Sequence, residues 1–143
     1  MANRSEKNRG LTVGIIANPV SARDIRRVIA NATALQITDR ANIVLRVLSC
    51  LKACGVGNVV MMPENGGIRH HVRRGIDRAE SQRRKEFPAL RHLDWKITGT
   101  VGDTVRAAAD MRAEGVAAIV VLGGDGTHRA VVSACGDVPI AGI

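Results

Sequence analysis

The chain alternates short apolar runs with longer stretches in which apolar residues recur every three or four positions. Thr12 to Ala17 (Thr-Val-Gly-Ile-Ile-Ala) is a strand-length run that halts at Asn18-Pro19, a turn signal. Ser21 then offers a helix N-cap with Asp24 three residues on, and Ile25, Val28, Ile29 and Ala32 follow at helical spacing. A second helix is predicted from about Asp39 to Cys54, capped by Thr38-Asp39. Its stripe is Ile43, Val44, Val47, Leu48 and Leu51, and Gly55 stands at the C-cap. Asn58 to Met62 reads as a buried strand ended by Pro63. Gly66 to Lys85 reads as a helix with Ile68, Val72, Ile76 and Ala79 on one side. Past Pro88, Leu93 to Thr98 predicts a strand. Asp103 to Glu114 predicts a helix that buries Val105, Ala108, Ala109 and Met111 and closes at Gly115. Ala117 to Leu122 is the most continuous apolar run and predicts a strand buried on both faces. Gly123-Gly124-Asp125-Gly126-Thr127 follows, then a short helix through Cys135, then Val138 to Ile143.

Strands alternating with helices of this length pair in parallel through right-handed crossovers. The expected fold is α/β: an open, mostly parallel sheet of about five strands with helices on both faces, Rossmann-like and three-layered, with no internal repeat. Val138 to Ile143 reads as a buried strand, the alternative being a terminal edge strand, and a buried strand there predicts a first domain of a longer protein. Residues 1–9 are expected to be a flexible tail and 10–143 the α/β domain.

Composition narrows the function classes. The 143 residues carry 21 Lys+Arg against 13 Asp+Glu, a net charge of +8, with 45% apolar and 24% charged residues. Such a chain is neither disordered throughout nor collagen-like. No apolar run approaches the roughly 18 residues of a membrane span, and Met1 to Gly10 lacks the apolar centre of a secretory signal. Cys50, Cys54 and Cys135 are read as reduced thiols, and the expected compartment is the cytoplasm. The basic charge invites a nucleic-acid partner, but Phe87 and Trp95 are the whole aromatic complement. Base-stacking platforms are therefore missing, and nucleic acid is not the expected partner. The arginine-rich side of the 66–85 helix reads as a solvated face, its alternative being an anion or partner surface. His70-His71 point apart on a helix, against a metal site, and Cys50 and Cys54 read as small buried apolar residues.

The glycine turn carries the chemistry. In open parallel sheets ligands bind beyond the carboxyl ends of the strands. Glycines let main-chain N–H groups approach a phosphate, and a helix N-terminus, here capped by Thr127, adds donors and a favourable dipole. A carboxylate in that setting repels its ligand unless it works, so Asp125 is the candidate to hold Mg²⁺, indirectly or through phosphates, or to accept a proton from an attacking hydroxyl. Both roles belong to phosphoryl transfer. No Gly-Lys-Ser/Thr of a P-loop exists, and the dinucleotide pattern begun by Gly124 and Gly126 meets Arg129 at its third glycine position. A plain strand-to-helix turn explains the glycines but not the Asp among them.

Gly123-Gly124-Asp125-Gly126-Thr127, with Asn18-Pro19-Val20-Ser21 after the first strand, resembles the ATP–NAD kinase and diacylglycerol kinase superfamily. Val120 to Val131 is most similar to its ATP–NAD kinase-like branch, which extends to acetoin catabolism. The resemblance implies an α/β nucleotide-kinase domain followed by a β-rich domain, with the active site between them. It further implies Asp125 as the catalytic aspartate, Gly123, Gly124, Gly126 and Thr127 on nucleotide phosphates, and Asn18 in a loop that faces the nucleotide. Ser21 belongs to that loop, Arg23 reaches a phosphate or stands in solvent, and Arg129 faces phosphate or solvent. His128 could act near the reacting hydroxyl, with a helix-surface place favoured. Two features depart from the pattern: Ser21 is followed by Ala22 where lipid-kinase relatives carry Gly, and the family's downstream Asn-Glu or Asn-Asp pair is absent from these residues. The implied activity is phosphorylation of a hydroxyl by ATP or another donor with Mg²⁺, NAD being the expected acceptor and a homo-oligomer the expected assembly. The alternatives are a lipid or sphingoid kinase and a non-catalytic nucleotide-binding accessory protein of acetoin catabolism.

Overall fold

The computed structural model describes residues 4–19 and 30–143. The proposed cap Ser21–Asp24, the helical positions Ile25, Val28 and Ile29, and the candidate site residues Ser21 and Arg23 lie outside them. Residues 4–8 form a short helix, α1 (Arg4–Asn8), and the Asn8 side-chain amide donates to the Cys54 carbonyl at 3.0 Å.

Five parallel strands make one sheet: β1 (Thr12–Ala17), β2 (Asn58–Met61), β3 (Ala89–His92), β4 (Ala118–Leu122) and β5 (Ile140–Gly142), in the order β3-β2-β1-β4-β5. β1 lies in the middle, with Val13 opposite both Val59 and Ala118. From β1 the chain moves outward to β2 and β3, then returns to β4 on the other side, so the order reverses between β1 and β4. That reversal opens a crevice beyond the strands' carboxyl ends.

Side-chain alternation splits the core in two. Ile15, Ala17, Val59 and Met61 meet α2 (Ala30–Ala53) and α3 (Ile68–Ser81) through Ala41, Val44, Leu48, Ile68, Val72 and Ile76. On the opposite face Ile16, Val60, Ile119 and Val121 meet Ala107, Ala108 and Met111 of α4 (Val101–Glu114) and Val131 of α5 (Asp125–Val132). Gly14 lets α4 come close, because a Cβ there would fall 2.5 Å from the Met111 sulfur.

Five expectations change in register, extent or burial. α2 is one 24-residue helix, so Thr38-Asp39 lies inside it rather than at its start. The preceding Ala30-Asn-Ala-Thr-Ala-Leu-Gln-Ile37 contains no Gly or Pro to stop it, and a potential cap residue acts only where the chain turns. The third strand is Ala89–His92 rather than Leu93 to Thr98, because Ala89, the first residue after Pro88, donates to the Gly57 carbonyl and a four-residue β2 limits its partner. α4 buries Asp103, Thr104, Ala107, Ala108 and Met111, leaving Ala109 exposed. α3 stops at Ser81, and β5 is an edge strand with Ala141 and Gly142 exposed, not a buried one. Cys50 and Cys54 are likewise exposed, whereas Cys135 is buried, and all three are free thiols. α2, α3 and α4 end alike: the N–H groups after the last turn reach back to carbonyls three and five residues before them. The turning residue has positive φ, Gly55 at 89°, Gly115 at 75° and, in α3, Arg83 at 56°. Among the described residues no helix is long and apolar enough to cross a membrane.

Candidate functional site

Beyond the carboxyl ends of β1, β2 and β4 lies a cleft of about 540 Å³. One wall is Asn18-Pro19 after β1, and a second is Met62 to Asn65 after β2. A third comes from the loop before α4, including Gly99, Thr100 and Asp103, and the fourth is Gly124, Asp125, Gly126, Thr127 and Arg129. The structure thus brings Asn18 together with five of the residues singled out in and after the glycine turn, 106 or more positions away in the chain. Gly123 does not line it. Its bareness serves packing, since a Cβ there would fall 2.7–2.9 Å from the Thr127 side chain. Gly124 and Gly126 are different: a Cβ on either meets nothing within 4 Å. Gly124 has φ −84°, ordinary for any residue. Protein packing therefore asks for glycine at neither position.

Among the described residues three helix N-termini converge on this cleft, and two are closed. Glu64, only 8% exposed, accepts from Gly66 N–H and Arg69 N–H at 2.6 Å each, so its carboxylate occupies the start of α3. Thr100 is the N-cap of α4, its Oγ1 accepting from Gly102 N–H at 3.2 Å. Behind it Asp103, 7% exposed, accepts from Thr98 N–H at 3.0 Å, Thr98 Oγ1–H at 2.6 Å and Gly99 N–H at 2.8 Å. Burial works against the Asp103 charge, but the Thr98 hydroxyl, the two amides and the Arg106 guanidinium outweigh it and hold the carboxyl below its ordinary range. The third terminus is open: α5 has Gly124 as N-cap and no side-chain cap bond. Thr127, expected as that cap, lies three residues inside instead, 7% exposed. Asp125 is the first residue of α5, where a negative charge suits the helix dipole.

The outer loop is fixed from behind. Trp95 Nε1 donates to Asp110 Oδ2 at 3.0 Å, and the Arg106 guanidinium sits 4.8 Å from the centre of the indole. Pro19 is packed against Gly66, where a Cβ would fall 2.4 Å from its ring, and the Arg40 guanidinium donates to the Asn18 carbonyl. Sequence reasoning missed Glu64, Asn65, Thr98 to Thr100 and Asp103. A signal for the last existed in Thr100-Val-Gly-Asp103, a cap residue with an acid three positions on. Glu64 gave none, since it closes a helix that starts four residues later.

Asp125 makes no hydrogen bond or ion pair among the described residues, whereas Glu64 and Asp103 are consumed by main-chain amides. No group of three or more acidic, His or Cys side chains forms a metal cage among those residues. One unengaged carboxylate beside an open helix N-terminus fits Mg²⁺ shared with phosphate oxygens, the arrangement that ion prefers.

The sequence model of a family described as ATP-NAD kinase N-terminal domain matches residues 13–143. Acetoin catabolism protein X of Cupriavidus necator is 59% identical over 131 residues, which is 92% of this chain and 36% of that protein. The chain therefore spans about a third of the length of the curated relative it matches. No solved structure matches it.

Proposed function

The chain belongs to the ATP–NAD kinase N-terminal domain family, and on that premise we propose that it is the nucleotide-binding part of an ATP-dependent kinase acting on a small-molecule hydroxyl, with the adenosine ribose 2′-OH of NAD as acceptor. One observation carries the reading: among the described residues three helix N-termini meet the cleft and only α5 is left open, with the Asp125 carboxylate, unengaged by those residues, standing in it. Phosphate oxygens would take the free amides of the α5 first turn, with Gly124 and Gly126 giving room and Arg129 on the same wall supplying positive charge. Gly123 and Thr127 act behind them, one packed on the other. Asn18 borders the same space, and Ser21 and Arg23 are assigned to the continuation of its loop.

Asp125 would accept the proton of the attacking hydroxyl as its oxygen forms a bond to phosphorus and the donor's bridging oxygen leaves with the electron pair. Bound Mg²⁺, held by Asp125 and the phosphates, would neutralise charge on the transferring group. Acceptor contacts, a β-rich second domain after the α/β domain of residues 10–143, a homo-oligomer and a cytoplasmic setting belong to the same proposal.

The test uses the full-length protein with ATP, Mg²⁺ and NAD in a coupled NADP assay. Asp125→Asn is expected to lower kcat by about 10²–10⁴-fold. Equal turnover in both proteins would remove Asp125 from the chemistry. The name of the Cupriavidus relative favours a second reading, an accessory protein of acetoin catabolism that binds nucleotide without transferring phosphate. Tight ATP binding with no turnover on NAD or other acceptors would select it. A lipid-kinase role is disfavoured by Ala22 after Ser21.

A further inference from the structure

His128 lies in the second turn of α5 and does not line the cleft. Its main-chain N–H donates to the Gly124 carbonyl at 3.1 Å, an ordinary helical bond. Its ring Nδ1 lies 2.9 Å from the same oxygen. A carbonyl only accepts, so this contact is a hydrogen bond when Nδ1 carries a proton, which in the neutral tautomer leaves Nε2 bare. The far edge of the ring is set against β5, where a Cβ on Gly142 would fall 2.5 Å from Nε2 and 3.2 Å from Cδ2. The imidazole thus spans from the edge strand to the glycine turn, in space that exists because Gly142 has no side chain.

The Gly124 C=O and the Asp125 N–H belong to one rigid peptide plane and point in opposite directions. Two donors on the Gly124 oxygen hold that carbonyl along α5, away from the cleft, so the Asp125 N–H is held pointing out of the helix N-terminus. Without them a glycine plane is the easiest in the chain to tip. We propose that His128 is a positioning residue: it locks the Gly124–Asp125 peptide so that the Asp125 amide is ready to donate to a phosphate oxygen. The proposal rests on the reading of α5 as the phosphate site.

Two measurements on the full chain test it. The ¹⁵N spectrum of the His128 ring is expected to show a protonated Nδ1 and a bare Nε2, and the opposite tautomer overturns the proposal without any ligand. Calorimetric titration with inorganic tripolyphosphate is expected to show about tenfold weaker binding for His128→Leu, the loss of roughly one charge-assisted hydrogen bond's orientation. His128→Asn, whose amide nitrogen can occupy the Nδ1 position, is expected to restore binding, while His128→Gln is not. Gly142→Ala, in a strand outside the cleft, should weaken binding in the native background and change nothing alongside His128→Leu. Equal affinity of the native chain, His128→Leu and His128→Asn sinks the role of His128 and leaves the phosphate site standing. No tripolyphosphate binding by the native chain sinks both.

Discussion

Replacing Asp103 by Asn perturbs the cleft without touching its glycine wall. The Asp103 carboxylate gathers three donors, Thr98 N–H, Thr98 Oγ1–H and Gly99 N–H, and so fixes the loop whose Gly99 and Thr100 line the cleft. Hydrogen bonds to a charged group contribute about 1.5–3 kcal/mol each when fully buried. Thr98 and Gly99 are exposed, so water can take over part of their donors and the sum is smaller. Asn keeps one acceptor oxygen and turns an NH₂ toward the remaining donors, leaving a net loss of about 2 kcal/mol. The sign with pH follows from the lowered Asp103 value: its stabilisation is fully present above the ordinary carboxylate range and fades as pH falls through the folded-state value. Urea unfolding of the native chain and Asp103→Asn at pH 7 and at pH 3.5 (about the ordinary Asp value) should show a gap of about 2 kcal/mol that narrows in acid. An unchanged midpoint at pH 7, or a gap that widens in acid, would refute this account of the loop.

Gly123→Ala should cost about 1–3 kcal/mol by driving a Cβ into the buried Thr127 side chain, whereas Gly124→Ala, which meets nothing, should leave the unfolding midpoint nearly unchanged and weaken tripolyphosphate binding. Gly14→Ala should be destabilising by a similar amount, because its Cβ would fall 2.5 Å from the sulfur of fully buried Met111; thermal unfolding checks it. His92 has a buried ring Nε2 with no partner among the described residues, and burial, then Arg69 and Arg73, push its pKa down to about 4. The unfolded chain takes its proton near pH 6.5, so stability should fall as pH drops from there to 4, by about 1–2 kcal/mol once the solvation of a half-buried ring is allowed for, and His92→Gln should flatten that slope in urea titrations.

The α/β class, a sheet of about five strands with four of them in place, and the glycine turn with Asp125 were legible because each rests on a local pattern. Apolar runs bounded by Pro and Gly make buried strands, and Ile68, Val72, Ile76 and Ala79 at helical spacing bury together as α3. The glycine turn needs only a strand before it and a helix after it. Other features depended on neighbours far along the chain. Thr38-Asp39 has cap chemistry, but nothing breaks the helix before it, so α2 runs through. β3 falls at Ala89 rather than Leu93 because Gly57 and a four-residue β2 set its register.

The sequence by itself determined that glycines and a carboxylate stand together between a strand and a helix, for that is a matter of composition and short spacing. Only the tertiary structure decided which of the described helix N-termini at the cleft is left uncapped. Glu64 and Asp103 are ordinary acids in the sequence; folding sets Glu64 against the amides that open α3, and Asp103 against the Thr98 and Gly99 amides of the loop that carries Thr100, the cap of α4. Crossover of the chain from β3 back to β4 then sets the open end of α5 beside Asn18, a juxtaposition that a linear pattern does not contain.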